Sequence, residues 1–145
     1  MNKEELNGVI GSVKKDLALS RTDLNIQMIR QGELYAYYAR ILSRALMDEK
    51  KAKLKMEMLE SKIYRLLNQH HNRVTERMVA VECHINKTWL KARQLVDETG
   101  YTVDVLKGIT VALTHKKDML VNLGATVRTE MERLNISMKG KNYGS

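Results

Sequence analysis

The side chains with the widest chemical repertoire in this chain are four histidines, His70, His71, His84 and His115, and one cysteine, Cys83. Cys83 and His84 are neighbours, and neighbours on a helix diverge by about 100°, so they do not face one metal ion together. A structural metal site takes four ligands, and no CxxC, HxxxH or carboxylate at ligand spacing completes the set. His70 and His71 fall in the polar stretch NQHHNR, which reads as a turn. Nucleophilic chemistry finds no better footing, because Cys83 lies inside an apolar-periodic helix and no base is placed beside it by spacing. There is no glycine-rich phosphate loop. The carboxylate pairs Asp48-Glu49 and Asp97-Glu98 sit among lysines or at helix ends, where ordinary surface roles suffice. The sequence therefore predicts no enzyme, no metal and no cofactor.

What remains is charge. The 145 residues carry 25 Lys and Arg against 17 Asp and Glu, a formal charge of +8, and a pI near 9.6. That balance favours acidic partners. The cations concentrate in DEKKAKLKMEMLESKIYRLLNQHHNR, Asp48 to Arg73. On a seven-residue repeat starting at Tyr35, Tyr37, Arg44, Lys51, Met58 and Arg65 share one outward line, and Lys55 and Lys62 flank the seam. Two readings compete. In one, Asp48, Glu57 and Glu60 offset these cations through i,i+3 and i,i+4 pairs, and the charge only keeps a coiled coil soluble. In the other, the ridge follows phosphates, with Tyr37, Tyr64 and Trp89 as the aromatic faces for stacking bases.

The elements that must position these residues are helical. Pro and Phe are both absent and aromatic residues make up 5%, so turn chemistry and strand-forming residues are scarce. The fold class expected is all-α: one helical domain over 1–139 and a flexible tail over 140–145. A short helix is expected over about Lys3–Leu17. A long helix follows, capped by Thr22 with Asp23 in its first turn. Its seam runs through Tyr35, Leu42, Glu49, Met56, Ile63 and His70, with Tyr38, Ala45, Ala52, Leu59 and Leu66 on the companion line. Five such heptads amount to a rod of roughly 50 Å. After the turn, Thr75 caps a helix running to about Glu98, with Met78, Val81, Ile85, Ala92, Leu95 and Val96 inward and Gly100 as terminator. A last helix spans about Val103–Leu134, presenting Leu106, Ile109, Leu113, Leu120, Leu123, Val127, Met131 and Leu134. Within it Gly108 and Gly124 are expected at close helix approaches. No window has the roughly 18 apolar residues of a membrane span, and MNKEELNGVIGSVKK has no apolar core of signal-peptide length. A single cysteine permits no internal disulfide, so the expected compartment is the cytoplasm.

Three segments together resemble the UvsY family of phage recombination mediators: VKKDLALSRTDL (Val13–Leu24), ELYAYYARIL (Glu33–Leu42) and TERMVAVECHINKTWLKARQLVDETGYTVDVLKGITVALTHKKDML (Thr75–Leu120). The Lys14-Lys15-Asp16 run, the Thr22-x-Leu24 helix start and the Leu34-Tyr35 opening of the long helix fall at family-like separations. The resemblance implies an all-helical, ring-like homo-oligomer that binds single-stranded DNA through lysines and arginines. It also implies contact with a single-stranded DNA-binding protein and with a RecA-like recombinase, which the mediator helps onto the DNA. The family's Lys-Ala-Arg cluster near the end of the long helix is not reproduced in LKMEMLESKIYR; Lys55 or Lys62 and Arg65 are the nearest matches. The expected DNA-contacting residues are Arg44, Lys51, Lys55, Lys62 and Arg65. The alternatives are a structural or assembly protein without DNA affinity, such as a phage scaffold or coiled-coil adaptor, and a protein that grips duplex DNA through basic helices.

Overall fold

The computed structural model describes residues 1–142, and these form four helices: α1 (Lys3–Leu17), α2 (Leu24–His70), α3 (Glu76–Ile85) and α4 (Lys87–Asn142). No strand occurs among the described residues. The chain divides into two compact units, one of residues 1–6 and 39–107, the other of residues 7–38 and 108–145.

In the first unit α1 begins with a reciprocal cap that the sequence reading did not anticipate. The Glu5 backbone N–H donates to Asn2 Oδ1 at 2.7 Å, and the Asn2 N–H donates to Glu5 Oε2 at 3.0 Å. Two orphan donors of the helix start are thereby satisfied. Thr75 caps α3 as expected, its hydroxyl accepting from the Met78 N–H at 3.3 Å.

The break that follows lies at Asn86, not at Gly100. Asn86 is extended, its N–H closes α3 onto the Cys83 carbonyl, and its Oδ1 accepts from the Trp89 N–H at 3.0 Å to open α4. One asparagine thus ends one helix and starts the next. This break changes the phase of the apolar pattern. Of the expected inward face only Ala92 is buried and Val81, Ile85 and Leu95 are exposed, whereas Cys83 and Trp89 go inside. They form a core with Ile63, against which Met56, Leu59, Leu67 and Val79 pack. Gly100 stays helical within α4, and a Cβ there would stand 3.8 Å from Glu49 Oε1, an ordinary contact. Val103 and Leu106 of α4, Ala45 and Ala52 of α2 and Leu6 of α1 complete the buried apolar set of this unit.

In the second unit the start of α2 differs from expectation. The Thr22 hydroxyl is taken by Ser20 Oγ at 2.7 Å, and the first backbone bond of α2 runs from the Gln27 N–H to the Asp23 carbonyl. Gln27 secures the α1–α2 connection instead, donating from Nε2 to the Ser20 carbonyl at 2.8 Å and accepting from the Ser20 N–H at 3.4 Å. Tyr38, Ile109, Leu113 and Leu120 are buried, together with the polar Gln31 and Lys116. Gln31 Nε2 donates to the Leu113 carbonyl at 2.6 Å, which leaves Gln31 Oε1 buried without a partner. The Tyr38 hydroxyl donates to Asp16 Oδ2 at 2.6 Å; burial and then this carboxylate push its pKa up to about 12.

Helix α4 continues through Asn142, so the expected tail over 140–145 is helical as far as it is described, and residues 143–145 lie outside the described residues. Met131 and Leu134, expected inward, are exposed. Gly108 meets nothing within 4 Å, so close approach does not explain it; a Cβ on Gly124 would touch Met28 at 3.5 Å.

Two substitutions separate the real helix break from the expected one. Asn86→Ala should cost about 1 kcal/mol by removing the cap of α4. Gly100→Ala, mid-helix with room for a methyl, should stabilise by up to about 1 kcal/mol. Urea unfolding of the two variants checks both signs.

Candidate nucleic-acid interface

All five cations singled out by sequence, Arg44, Lys51, Lys55, Lys62 and Arg65, lie on α2 within the first unit and are exposed. At about 100° per residue, Arg44, Lys51, Lys55 and Lys62 fall within about 40° of one another around the helix, and Arg65 lies about 60° from Arg44. The line of Ala45, Ala52 and Ile63, all buried, is roughly 100° away. A strip of positive charge about 30 Å long therefore runs beside the buried line. Arg40, also exposed, extends it by one turn. Its signal in the sequence is its place four residues before Arg44, ahead of the lysine-rich run.

The carboxylates expected to offset this strip do not do so. Asp48 pairs with the N-terminal amine of Met1 at 3.4 Å, and Glu57 forms no ion pair and lies about 140° around α2 from Arg44; Glu49, close by, holds Lys53 on the other side of the helix at 2.6 Å. Glu60 accepts from the Trp89 indole N–H at 3.1 Å. Among the described residues, none of the five cations, nor Arg40, forms an ion pair. An unpaired row of cations is an electrostatic footprint available to a polyanion.

Of the three expected aromatic faces, Trp89 and Tyr64 are not assembled with them. Trp89 is buried, its indole tied to Glu60 and its ring 5.3 Å from that of His84. It has no free face for a base. Tyr64 is half exposed, but it lies roughly 160° around α2 from Arg44 and lines a groove with Glu57, Glu60 and Glu76. Arg65 lines that acidic groove too, which sets it apart from the other four cations. Tyr37 is half exposed, and within the second unit its ring meets that of Tyr38 edge-on at 5.1 Å. The apolar side chains interleaved with the strip are Met47, Leu54 and Met58, all more than half exposed.

The other candidate chemistry is accounted for structurally. Burial, then the nearby carboxylates Glu60 and Glu82, push the Cys83 thiol up, away from a reactive thiolate. His84 Nδ1 bonds the Ala80 carbonyl of its own helix at 2.6 Å. Among the described residues no three His, Cys, Asp or Glu side chains gather as a metal site, and no helix is long and apolar enough to cross a membrane. Comparison with family models, curated proteins and solved structures finds no match to the chain.

Because Trp89 is the chain's single tryptophan, its fluorescence reports the aromatic question directly. Emission should be shielded from iodide and unchanged in intensity when an oligonucleotide binds. Strong quenching by bound single-stranded DNA would restore Trp89 to the stacking surface.

Proposed function

We propose that this chain is a non-enzymatic recombination mediator that binds single-stranded DNA along the cationic strip of α2. In this reading it promotes loading of a RecA-like recombinase onto DNA covered by a single-stranded DNA-binding protein, in the cytoplasm of the host cell. The observation that carries the proposal is the row Arg44, Lys51, Lys55 and Lys62, exposed on one side of α2 and free of ion pairs. The resemblance to the UvsY family supplies the recombinase and the displaced binding protein.

A mediator of this kind needs no catalytic group. Its work is differential binding: many modest phosphate contacts, multiplied across subunits, hold DNA in the form a recombinase nucleates on. A ring-like homo-oligomer is therefore part of the proposal. Its support is the end of α4, where Met131, Leu134 and Met138 are each at least 60% exposed and fall within about 60° of one another around the helix. Apolar side chains in such a row favour a protein partner over water, and their spacing of three and four residues suits helix pairing between subunits. The same row equally favours the alternative, a helical assembly adaptor whose charge serves only solubility.

With the indole buried, affinity in this reading comes mainly from phosphates, so it should be insensitive to base sequence and steeply salt-dependent. A single-stranded ligand contributes a slope of about −0.7 per phosphate contact in log K against log salt. The variant Lys51→Gln, Lys55→Gln, Lys62→Gln should lose about 2 from the magnitude of that slope and keep its helicity. Fluorescence anisotropy with single- and double-stranded oligonucleotides, alongside light scattering, provides the measurement. An oligomer that ignores both DNAs would transfer the assignment to the adaptor.

A further inference from the structure

The α1–α2 connection of the second unit walls a cavity of about 310 Å³, lined by Lys15, Asp16, Ser20, Asp23, Arg30 and Lys116 with apolar flanks that include Leu19 and Leu34. That volume is at the lower end of small-molecule sites. The cavity is shaped in advance, because Gln27 holds the Ser20 backbone by both ends of its amide.

Its charges are unbalanced in an unusual way. Lys116 is only 6% exposed, yet its ammonium donates to the backbone carbonyl of Asp16 and not to any carboxylate. The Asp16 carboxylate acts on Lys116 from a distance: it accepts from the Tyr38 hydroxyl at 2.6 Å and forms no ion pair with the ammonium. An ammonium has three donors, and among the described residues no other acceptor serves Lys116. Lysine is almost never so buried without an opposite charge. Arg30 brings a second cation to the same cavity and Lys15 a third, against the two carboxylates Asp16 and Asp23, an excess of one positive charge. Burial, opposed by the Asp16 charge and reinforced by that of Arg30, holds the Lys116 pKa below the usual lysine range.

We propose that this cavity is a binding site for a phosphomonoester, whose oxyanion supplies the direct ion pair that Lys116 and Arg30 both lack. Lysine meets such a group as a point charge and arginine as a planar fork of donors, and the two together suit a doubly charged phosphate better than a single carboxylate. The apolar flank of Leu19 and Leu34 receives the organic part of the ester. The site is separate from the cationic strip of α2, and the proposal does not depend on the DNA-binding reading.

Isothermal titration of the full chain with phenyl phosphate, benzoate, and sodium chloride at matched ionic strength tests it. The expected result is saturable binding of phenyl phosphate at millimolar concentration or below, with benzoate weaker and no response to chloride. Arg30→Gln, at an exposed position, should weaken binding by ~10-fold or more without changing the circular dichroism spectrum, and Lys116→Gln should abolish it. A 5′-phosphorylated trinucleotide competing with phenyl phosphate would assign the site to a nucleic-acid end, and its failure to compete to a free small phosphomonoester. Either result keeps the phosphate site. Absence of saturable binding, a benzoate affinity equal to that of phenyl phosphate, or full affinity in a folded Arg30→Gln variant overturns the proposal.

Discussion

A helix of 47 residues that hides only a narrow line of small and apolar side chains must leave most of its circumference to water. In α2 the buried members within the first unit are Ala45, Ala52 and Ile63. Small side chains on the buried line leave little room for flanking lysines to be drawn inward, so Lys51, Lys55 and Lys62 stay out with Arg44. Their charge goes unanswered because the neighbouring carboxylates have other work. Glu60 satisfies an indole N–H that would otherwise be stranded inside the Ile63–Cys83–Trp89 core, Asp48 meets the chain's own amino terminus, and Glu49 turns to Lys53. The positive strip is thus a consequence of how the core is satisfied as well as of how many cations the sequence has.

This linkage explains which parts of the structure could be read from the sequence. The bounds of α1, the reversal after His70 and the Thr75 cap were legible because each is a local event with a local signal. The outward position of the cations was legible from seven-residue spacing alone. The break at Asn86 was not, because the apolar residues on either side recur at helical spacing and a single asparagine between them looks like a surface position. Only the bond from its side chain to the Trp89 N–H distinguishes it. Missing that break cost the phase of everything downstream, and hence the burial of Cys83 and Trp89. Gly100 drew attention as a terminator because glycine often ends helices, but among the described residues no glycine has the positive φ that such an ending uses.

The second unit holds a polar interior whose buried members fall on the apolar lines of α2 and α4 but whose partners no periodicity announced. Gln31, Tyr38, Asp16 and Lys116 come from three different helices, and their partners are 22 to 100 residues apart in sequence. Lys116, three residues after Leu113 and four before Leu120, falls in the inward phase of α4, and its ammonium is received there by the Asp16 carbonyl of α1. Local pattern cannot report such an arrangement, because the groups that make it unusual lie on other elements.

The central claim is that one side of α2 in the first unit, and not its lysines in general, meets the phosphate backbone. Lysine acetylation read by mass spectrometry, with and without saturating single-stranded DNA, tests this with an internal control. Lys53 is on the same helix but pairs with Glu49 on the other side from Lys51 and Lys55. The account predicts that DNA protects Lys51, Lys55 and Lys62 while Lys53 keeps its reactivity. Equal protection at all four, or protection at none, would contradict it.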